Sequence, residues 1–276
     1  KNVDTINANI KINKPDILAK YRSSIDVSDL KPGETRSYVM FLPEIVSKEM
    51  RDFDIDVKIA GRDSYKLSHK MYFTSVPYAY TKPQIDGVVS PGEYSNDAWF
   101  DIKAGENKEH YQPLVDNVQH MGDDDLSGKA TIKYDDENLY FFIEVTDDIF
   151  VNNNVGENIW NGDSIQIGIA DEGAEASSAY CELTVALTRE GPQMYRHLAN
   201  NSNNPVGTVK NCEMQIVREG YKTYYELAIP WSEVLTNPEN AGPGYQPRFA
   251  FLINDDDGVG RNAYMEYSQV LGAIGT

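Results

Sequence analysis

The 276 residues carry 43 Asp and Glu against 25 Lys and Arg, a net charge of −18 and a pI near 4.6, which disfavours nucleic acid and anionic membrane surfaces as partners. No apolar run approaches the ~20 residues that cross a bilayer, and two cysteines are too few for a disulfide scaffold. Aromatic residues make up 11%, led by 18 Tyr, and the turns are rich in Asn, Asp and Gly, the composition of a secreted, extracellular or cell-surface all-β protein.

The length exceeds a usual domain of roughly 100–200 residues, so two domains are expected. The chain opens on Lys1 in strand-like sequence, and we expect a piece of a longer protein. In chain order, alternating apolar runs predict strands at 37–43, 52–61, 69–76, 128–134, 138–148, 163–170, 179–187, 212–220, 224–231 and 248–257. No segment sustains helical periodicity over three turns. "YDDENLY" (134–140) and "REGYKTYY" (218–225) are short polar links of the kind that join antiparallel hairpins.

The prolines in "SVPYAYTKPQIDG" (75–87) bracket a polar extended stretch that resists joining either flanking sheet. The expected domains are therefore 1–82 and 83–276. The first has the size and turn spacing of a small immunoglobulin-like β-sandwich, although it lacks the Cys–Trp–Cys pattern, and it reads as a spacer. The second is expected to be a larger, jelly-roll-like antiparallel sandwich.

Strand side chains alternate with period two. In "DSIQIGIA" the residues Ile165, Ile167 and Ile169 share one face, and Ser164, Gln166 and Gly168 the other. Cys181, Leu183, Val185 and Leu187 oppose Glu182 and Thr184 in the same way, and Tyr225, Leu227 and Ile229 oppose Glu226. This predicts a polar, partly concave, open sheet face beside the loop "NNNVGENIWNGD" (152–163). Trp160 stands in that loop where little promises to bury it. A ring at the rim of a polar face suits sugars, whose C–H face lies on the aromatic plane while amides and carboxylates bond the hydroxyls. The bland alternative is a ring tucked beneath its own loop. Trp231 in "AIPW" and Trp99 in "DAWF" read as core residues.

The blocks "QIDGVVSPGEYSNDAW" (84–99), "DLSGKATIKYDDENLYFFIEVTDD" (125–148), "IWNGDSIQIGI" (159–169), "GYKTYYELAIPWSEV" (220–234) and "FAFLINDDDGVGR" (249–261) resemble, in the family's order, a family 9 carbohydrate-binding module. The resemblance implies a non-catalytic antiparallel β-sandwich attached to secreted polysaccharide-active proteins. It also implies structural calcium and a sugar-chain end held between two tryptophans. Trp160 matches the first of these. Gln166 falls where the family has a glutamate, and an amide bonds hydroxyls without charge assistance. The second tryptophan follows the "NDDDGxGR" segment, yet this chain reads "RNAYMEYSQVLGAIGT" and has no Trp after Trp231. Tyr264, Tyr267 or Tyr111 are the rings left to replace it. One stacking ring instead of two forfeits roughly 1–3 kcal/mol, ~5- to 150-fold in affinity, by analogy with base stacking. The expected sugar-binding set is Trp160 as platform with Gln166, Glu182, Thr184, Asn254 and Tyr267.

Acidic residues cluster at 123–125, 135–136, 147–148 and 255–257. Hard carboxylate oxygens suit Ca²⁺, although no EF-hand loop is present; with the family's calcium in view, Asp147 and Asp148 are the expected ligands. Cys181 and Cys212 lie on apolar strand faces, where buried thiols and a bond between strands both remain open. The four histidines have no zinc spacing. No nucleophile elbow, P-loop or dinucleotide fingerprint occurs, and the acids sit in turns, so no enzymatic activity is expected. The functional expectation is binding of plant-type polysaccharide or oligosaccharide ends, such as xylan or cellulose, within a larger secreted protein whose other domains are its partners. The alternative is a structural spacer or protein-interaction module that has lost the sugar.

Overall fold

A computed structural model describes residues 5–14, 24–36, 38, 51–71, 76–94, 99–105, 110–174 and 180–267. The chain divides into two compact units, Lys1–Ser75 and Val76–Thr276, so the division falls earlier than the prolines predict. The reason is local. A proline lacks an N–H but keeps its carbonyl: Pro77 O accepts from Tyr134 N–H (3.2 Å) while Ala79 N–H donates to Tyr134 O (2.7 Å). The stretch expected to stay outside both sheets thereby forms a parallel bridge at Tyr78 and Tyr134.

The first unit holds one four-stranded antiparallel sheet in the order β2-β1-β3-β4, built from β1 (Ile6–Lys14), β2 (Ser24–Leu30), β3 (Arg51–Ile59) and β4 (Tyr65–Met71). The predicted strand at 37–43 lies outside the described residues except Tyr38, as do positions 72–75 of the one at 69–76. Among the described residues no second sheet completes an immunoglobulin-like sandwich in this unit. Sequence reading passes over β1 and β2, whose apolar positions are interleaved with strand-disfavouring Asn, Lys and Asp.

The second unit stacks two antiparallel sheets. Its strands are β5 (Phe100–Ile102), β6 (Tyr111–Pro113), β7 (Leu126–Tyr134), β8 (Asn138–Asp147), β9 (Ser164–Ala170), β10 (Tyr180–Thr188), β11 (Gly191–Leu198), β12 (Gly207–Thr208), β13 (Glu213–Glu219), β14 (Lys222–Pro230), β15 (Arg248–Asp255) and β16 (Ala263–Glu266). The seven-stranded sheet runs β12-β11-β10-β9-β15-β16-β6, and the five-stranded sheet β13-β14-β8-β7-β5. The inward residues follow the period-two reading. Ile165, Ile167, Ile169, Leu183, Val185, Phe251 and Ile253 meet Phe141, Ile143, Val145, Tyr225, Leu227 and Ile229 in one buried cluster. Each such side chain contributes roughly 1.5–3 kcal/mol. Trp231, 5% exposed, belongs to this cluster and donates its Nε1–H to Asp135 O at 2.9 Å, as its structural reading requires.

The outer face of the five-stranded sheet is sealed. Tyr140, Phe142 and Ala228 pack against Ala79 and Tyr94 of the segment 76–94, with Trp99 beside them. Glu226, grouped by alternation with an exposed polar face, is instead fully buried here. Its carboxylate accepts from the Asp86 N–H (3.0 Å), the Gly87 N–H (2.8 Å) and the Tyr94 hydroxyl (3.0 Å). Alternation assigned Glu226 to the correct side of its strand but could not say which sheet the strand joins. Burial pushes its carboxyl up, and these donors counter the shift. Both cysteines are free thiols. Desolvation raises both, Cys212 to about 12, so they stay protonated and unreactive at neutral pH.

Because Glu226 ties the 76–94 segment to the sheet, Glu226→Ala strands two N–H groups and a phenol. We expect a loss of about 2–4 kcal/mol, seen as a Tm lowered by roughly 5–15 °C in thermal denaturation. An unchanged Tm would show that the segment is held by its apolar contacts alone.

Candidate functional site

Strand β9 is central in its sheet, and both of its faces are buried. The inner face carries the three isoleucines. On the outer face Gln166 pairs laterally with Thr184 of β10 and Leu252 of β15, while Ser164 lies opposite Asn254. Gly168 leaves the space beside Glu182 empty of side chain. Into it reaches Gln166, whose Nε2 donates to Glu182 Oε1 at 2.8 Å; the Tyr180 hydroxyl donates to Oε2 at 3.2 Å.

This outer face is less open than the alternation implies. Gln166 is 9% exposed, Thr184 0% and Asn254 1%. Over it lies Arg261, whose guanidinium stacks 4.6 Å from the Tyr264 ring centre and acts electrostatically on Glu182. Desolvation raises the Glu182 carboxyl and lowers the Arg261 guanidinium. Four polar atoms gathered on this face have no hydrogen-bond partner within the protein: Gln166 Oε1, Thr184 Oγ1, Asn254 Oδ1 and Arg261 Nε. A buried polar group without a partner costs about 1–3 kcal/mol, so such a group of acceptors and a donor points to a polar ligand.

The loop before β9 explains the position of Trp160. Ile159 is fully buried and serves as the anchor, while Trp160 turns outward with 37% of its surface exposed. The asparagines form the scaffold. Asn152 Nδ2 donates to Ile159 O (2.9 Å) and Asp163 O (3.0 Å), and Asn154 Nδ2 to Asn161 O (2.8 Å). Position 162 must be glycine, because a Cβ there would stand 2.8 Å from Asn152 Cγ and 2.9 Å from Val151 O.

Trp160, Gln166, Glu182, Thr184 and Asn254 thus belong to this loop and this face, while Tyr267 does not. Its ring stacks on Phe251 (5.3 Å, 12°) and meets Phe100 at 4.7 Å, inside the sandwich. Tyr111 also packs in the core, 7% exposed. Of the three candidate second rings, Tyr264 alone lies on the site face. Tyr267 follows Glu266 in sequence, and one step along a strand exchanges faces. Sequence reading assigned no role to Arg261 or Tyr180; the available signal was a lone cation closing the acidic, Gly-rich turn "NDDDGVGR".

At the Trp160 end of the sheets, Asp147, Asp163 and Asp255 come together, all buried, with one carboxylate oxygen of each within 4.8 Å of the others. Of the two expected ligands, Asp147 is in the trio, whereas Asp148 is exposed and outside it: next to Asp147 at the same strand end, it points the opposite way. Asp163 Oδ1 accepts from the Asp256 N–H (2.9 Å) and Oδ2 from the Val151 N–H. Arg218 Nη1 lies 3.3 Å from Asp147 Oδ2. Desolvation, aided by repulsion from neighbouring aspartates, raises all three carboxyls, Asp255 to about 8. Arg218 is the one cation bonded to the trio among the described residues, so the three carboxyls can all ionise only if a further cation joins them. An all-oxygen set of this kind fits a hard divalent ion such as Ca²⁺ and is a poor match to softer metals.

Among curated proteins none matches the chain. Two solved structures of a carbohydrate-binding module family 9 from Caldicellulosiruptor kristjanssonii are similar. The complex with cellotriose has 16% identity and a TM-score of 0.52, covering 72% of this chain and 85% of that one. The complex with glucose has 16% identity and a TM-score of 0.49, covering 72% and 87%. The first likeness supports the β-sandwich fold. Residues 85–273, well over half of the sequence and including every residue of the site face, match the family model described as carbohydrate family 9 binding domain-like, and the chain therefore belongs to that family.

Proposed function

We propose that this chain binds carbohydrate without catalysis, on the outer face of the seven-stranded sheet beside Trp160. The observation that carries this reading is the set of four buried, unpartnered polar atoms on Gln166, Thr184, Asn254 and Arg261, next to a part-exposed indole. A pyranose matches both: its C–H face covers the ring and its hydroxyls act as donor and acceptor together. Glu182 and Arg261 supply charge-assisted bonds, which are roughly twice as strong as neutral ones. Chain ends of plant-type polysaccharides such as xylan or cellulose are the expected ligands. Family membership and the cellotriose complex of the similar module favour this class over other polar ligands. The parent protein is read as secreted and polysaccharide-active, with the first unit as an immunoglobulin-like spacer.

Ca²⁺ is proposed as a structural ion held by Asp147, Asp163 and Asp255. It would neutralise the trio and so strengthen the point where β8, β9 and β15 meet the loops of the site.

Tryptophan fluorescence during titration with glucose, xylose, cellobiose and xylobiose tests the binding reading. We expect a saturable change in the wild type and a loss of roughly 1–3 kcal/mol, ~5- to 150-fold in affinity, in Trp160→Ala. No response to any sugar, in folded protein with calcium present, would leave a structural module instead. For the ion, calcium at about a hundred times its Kd should add ~2.7 kcal/mol, or roughly 5–10 °C in Tm. That increment should vanish with excess chelator and in Asp163→Asn. A Tm indifferent to calcium in the wild type would refute the ion.

A further inference from the structure

The two walls of the candidate site come from different loops. One, between β8 and β9, carries Trp160; the other, between β15 and β16, carries Arg261. Their separation decides whether an indole and a guanidinium can hold one sugar ring from two sides, because a displacement of about 1 Å is enough to spoil such a geometry.

Two side chains of the first loop reach the second. At the base, Asp163 Oδ1 accepts the Asp256 N–H at 2.9 Å. At the rim, Asn161 Oδ1 accepts the backbone N–H of Arg261 itself at 3.2 Å. The rim link is also packed. A Cβ on Gly260 would stand 3.3 Å from both Asn161 Oδ1 and Nδ2, so the second loop rests against the Asn161 amide. Gly260 has φ +90°, a left-handed conformation that lets the backbone pass this close.

The side chain of Asn161 is not needed to shape its own loop. Its backbone N–H donates to Asn158 O (3.0 Å) and its carbonyl accepts from Asn154. Internal order rests on Asn152, Asn154 and Asp163. The second loop is likewise shaped from within: Asp256 Oδ1 accepts from the N–H groups of Gly258, Val259 and Gly260. Each loop therefore holds its own form, and the Asn161 amide is left to set their spacing at the mouth.

Resting on the carbohydrate-binding reading, we propose that Asn161 is a positioning residue for the sugar: its side-chain amide fixes Arg261 relative to the neighbouring Trp160, so that ring and guanidinium face one ligand together. It need not touch the sugar. Its loss is expected to lower affinity while leaving the folded state intact.

The experiment compares wild type, Asn161→Ala, Asn161→Asp and Asn161→Gln in titrations with glucose and cellobiose. Thermal denaturation and acrylamide quenching of the sugar-free proteins accompany them, with Trp160→Ala identifying the quenchable indole. Asn161→Ala should bind about tenfold more weakly, the worth of one hydrogen bond. Its Tm should stay near that of the wild type, and Trp160 should become more accessible to quencher. Asn161→Asp, which keeps the acceptor oxygen, should recover most of the affinity. If Asn161→Ala is unfolded, Asn161→Gln carries the same test, because it keeps an amide but moves it one methylene away from its place at the Arg261 N–H and should weaken binding. Wild-type affinity in Asn161→Ala, or an equal loss in Asn161→Asp, overturns the positioning role. A wild type that binds neither sugar overturns the binding reading first, and the two failures are thereby distinguished.

Discussion

Burial of both faces of β9 is the constraint on which the second unit depends. On the inner side three isoleucines enter the seam between the sheets, which fixes the register of the strand, since a slip of one residue would place Ser164 and Gln166 in the hydrocarbon core. With that register locked, the outer side has no freedom left. Gln166 must lie between Thr184 and Leu252, and Ser164 beside Asn254. The apolar seam thus determines where the polar atoms stand, although none of them contributes to it. Fixing polar groups by burying their strand is an effective way to prepare a site, because no side-chain ordering is left for the ligand to bring about.

The same strand links the site to the acidic trio. Asp163 immediately precedes β9, Asp147 ends β8 and Asp255 ends β15, so three strand ends converge where the two loops depart. Asp163 serves two purposes with its two oxygens. It takes one N–H from each loop while facing the other carboxylates. Repulsion within the trio works against the bonds that organise the loops, and a divalent ion would remove that opposition.

Much of this was legible in the sequence. Period-two alternation identified the strands from β7 onward that carry long apolar runs and the inward faces of β9, β10 and β14, while the Asn- and Gly-rich loop around Trp160 promised that ring little burial. What remained hidden depends on which strands become neighbours. Glu226 looked like Gln166 by alternation, yet one belongs to a face sealed by the 76–94 segment and the other to the site. Tyr267 was judged by chemistry when its parity decided the matter. Strand β11, "GPQMYRHL", was passed over because Gly, Pro and His obscure its alternation. The acidic trio could not be found by sequence proximity at all, since its members are drawn from three strands. Asp148 is adjacent to Asp147 but outside the group, whereas Asp163 and Asp255 are distant in sequence and inside it.

The edge pairing at Tyr134 and the Glu226 clasp also bear on how the protein can be cut into parts. Proline-marked links usually show where a chain may be divided. Here the first of the two prolines is already bonded to β7, and residues 79 to 94 form the cover of the five-stranded sheet. Division at Ser75 leaves that cover whole. Division at the second proline would strip away the Tyr134 bridge and the Ala79 contact, while the Glu226 clasp and the rings of Tyr94 and Trp99 stay on Phe142, leaving an exposed strand edge of the kind that drives self-association.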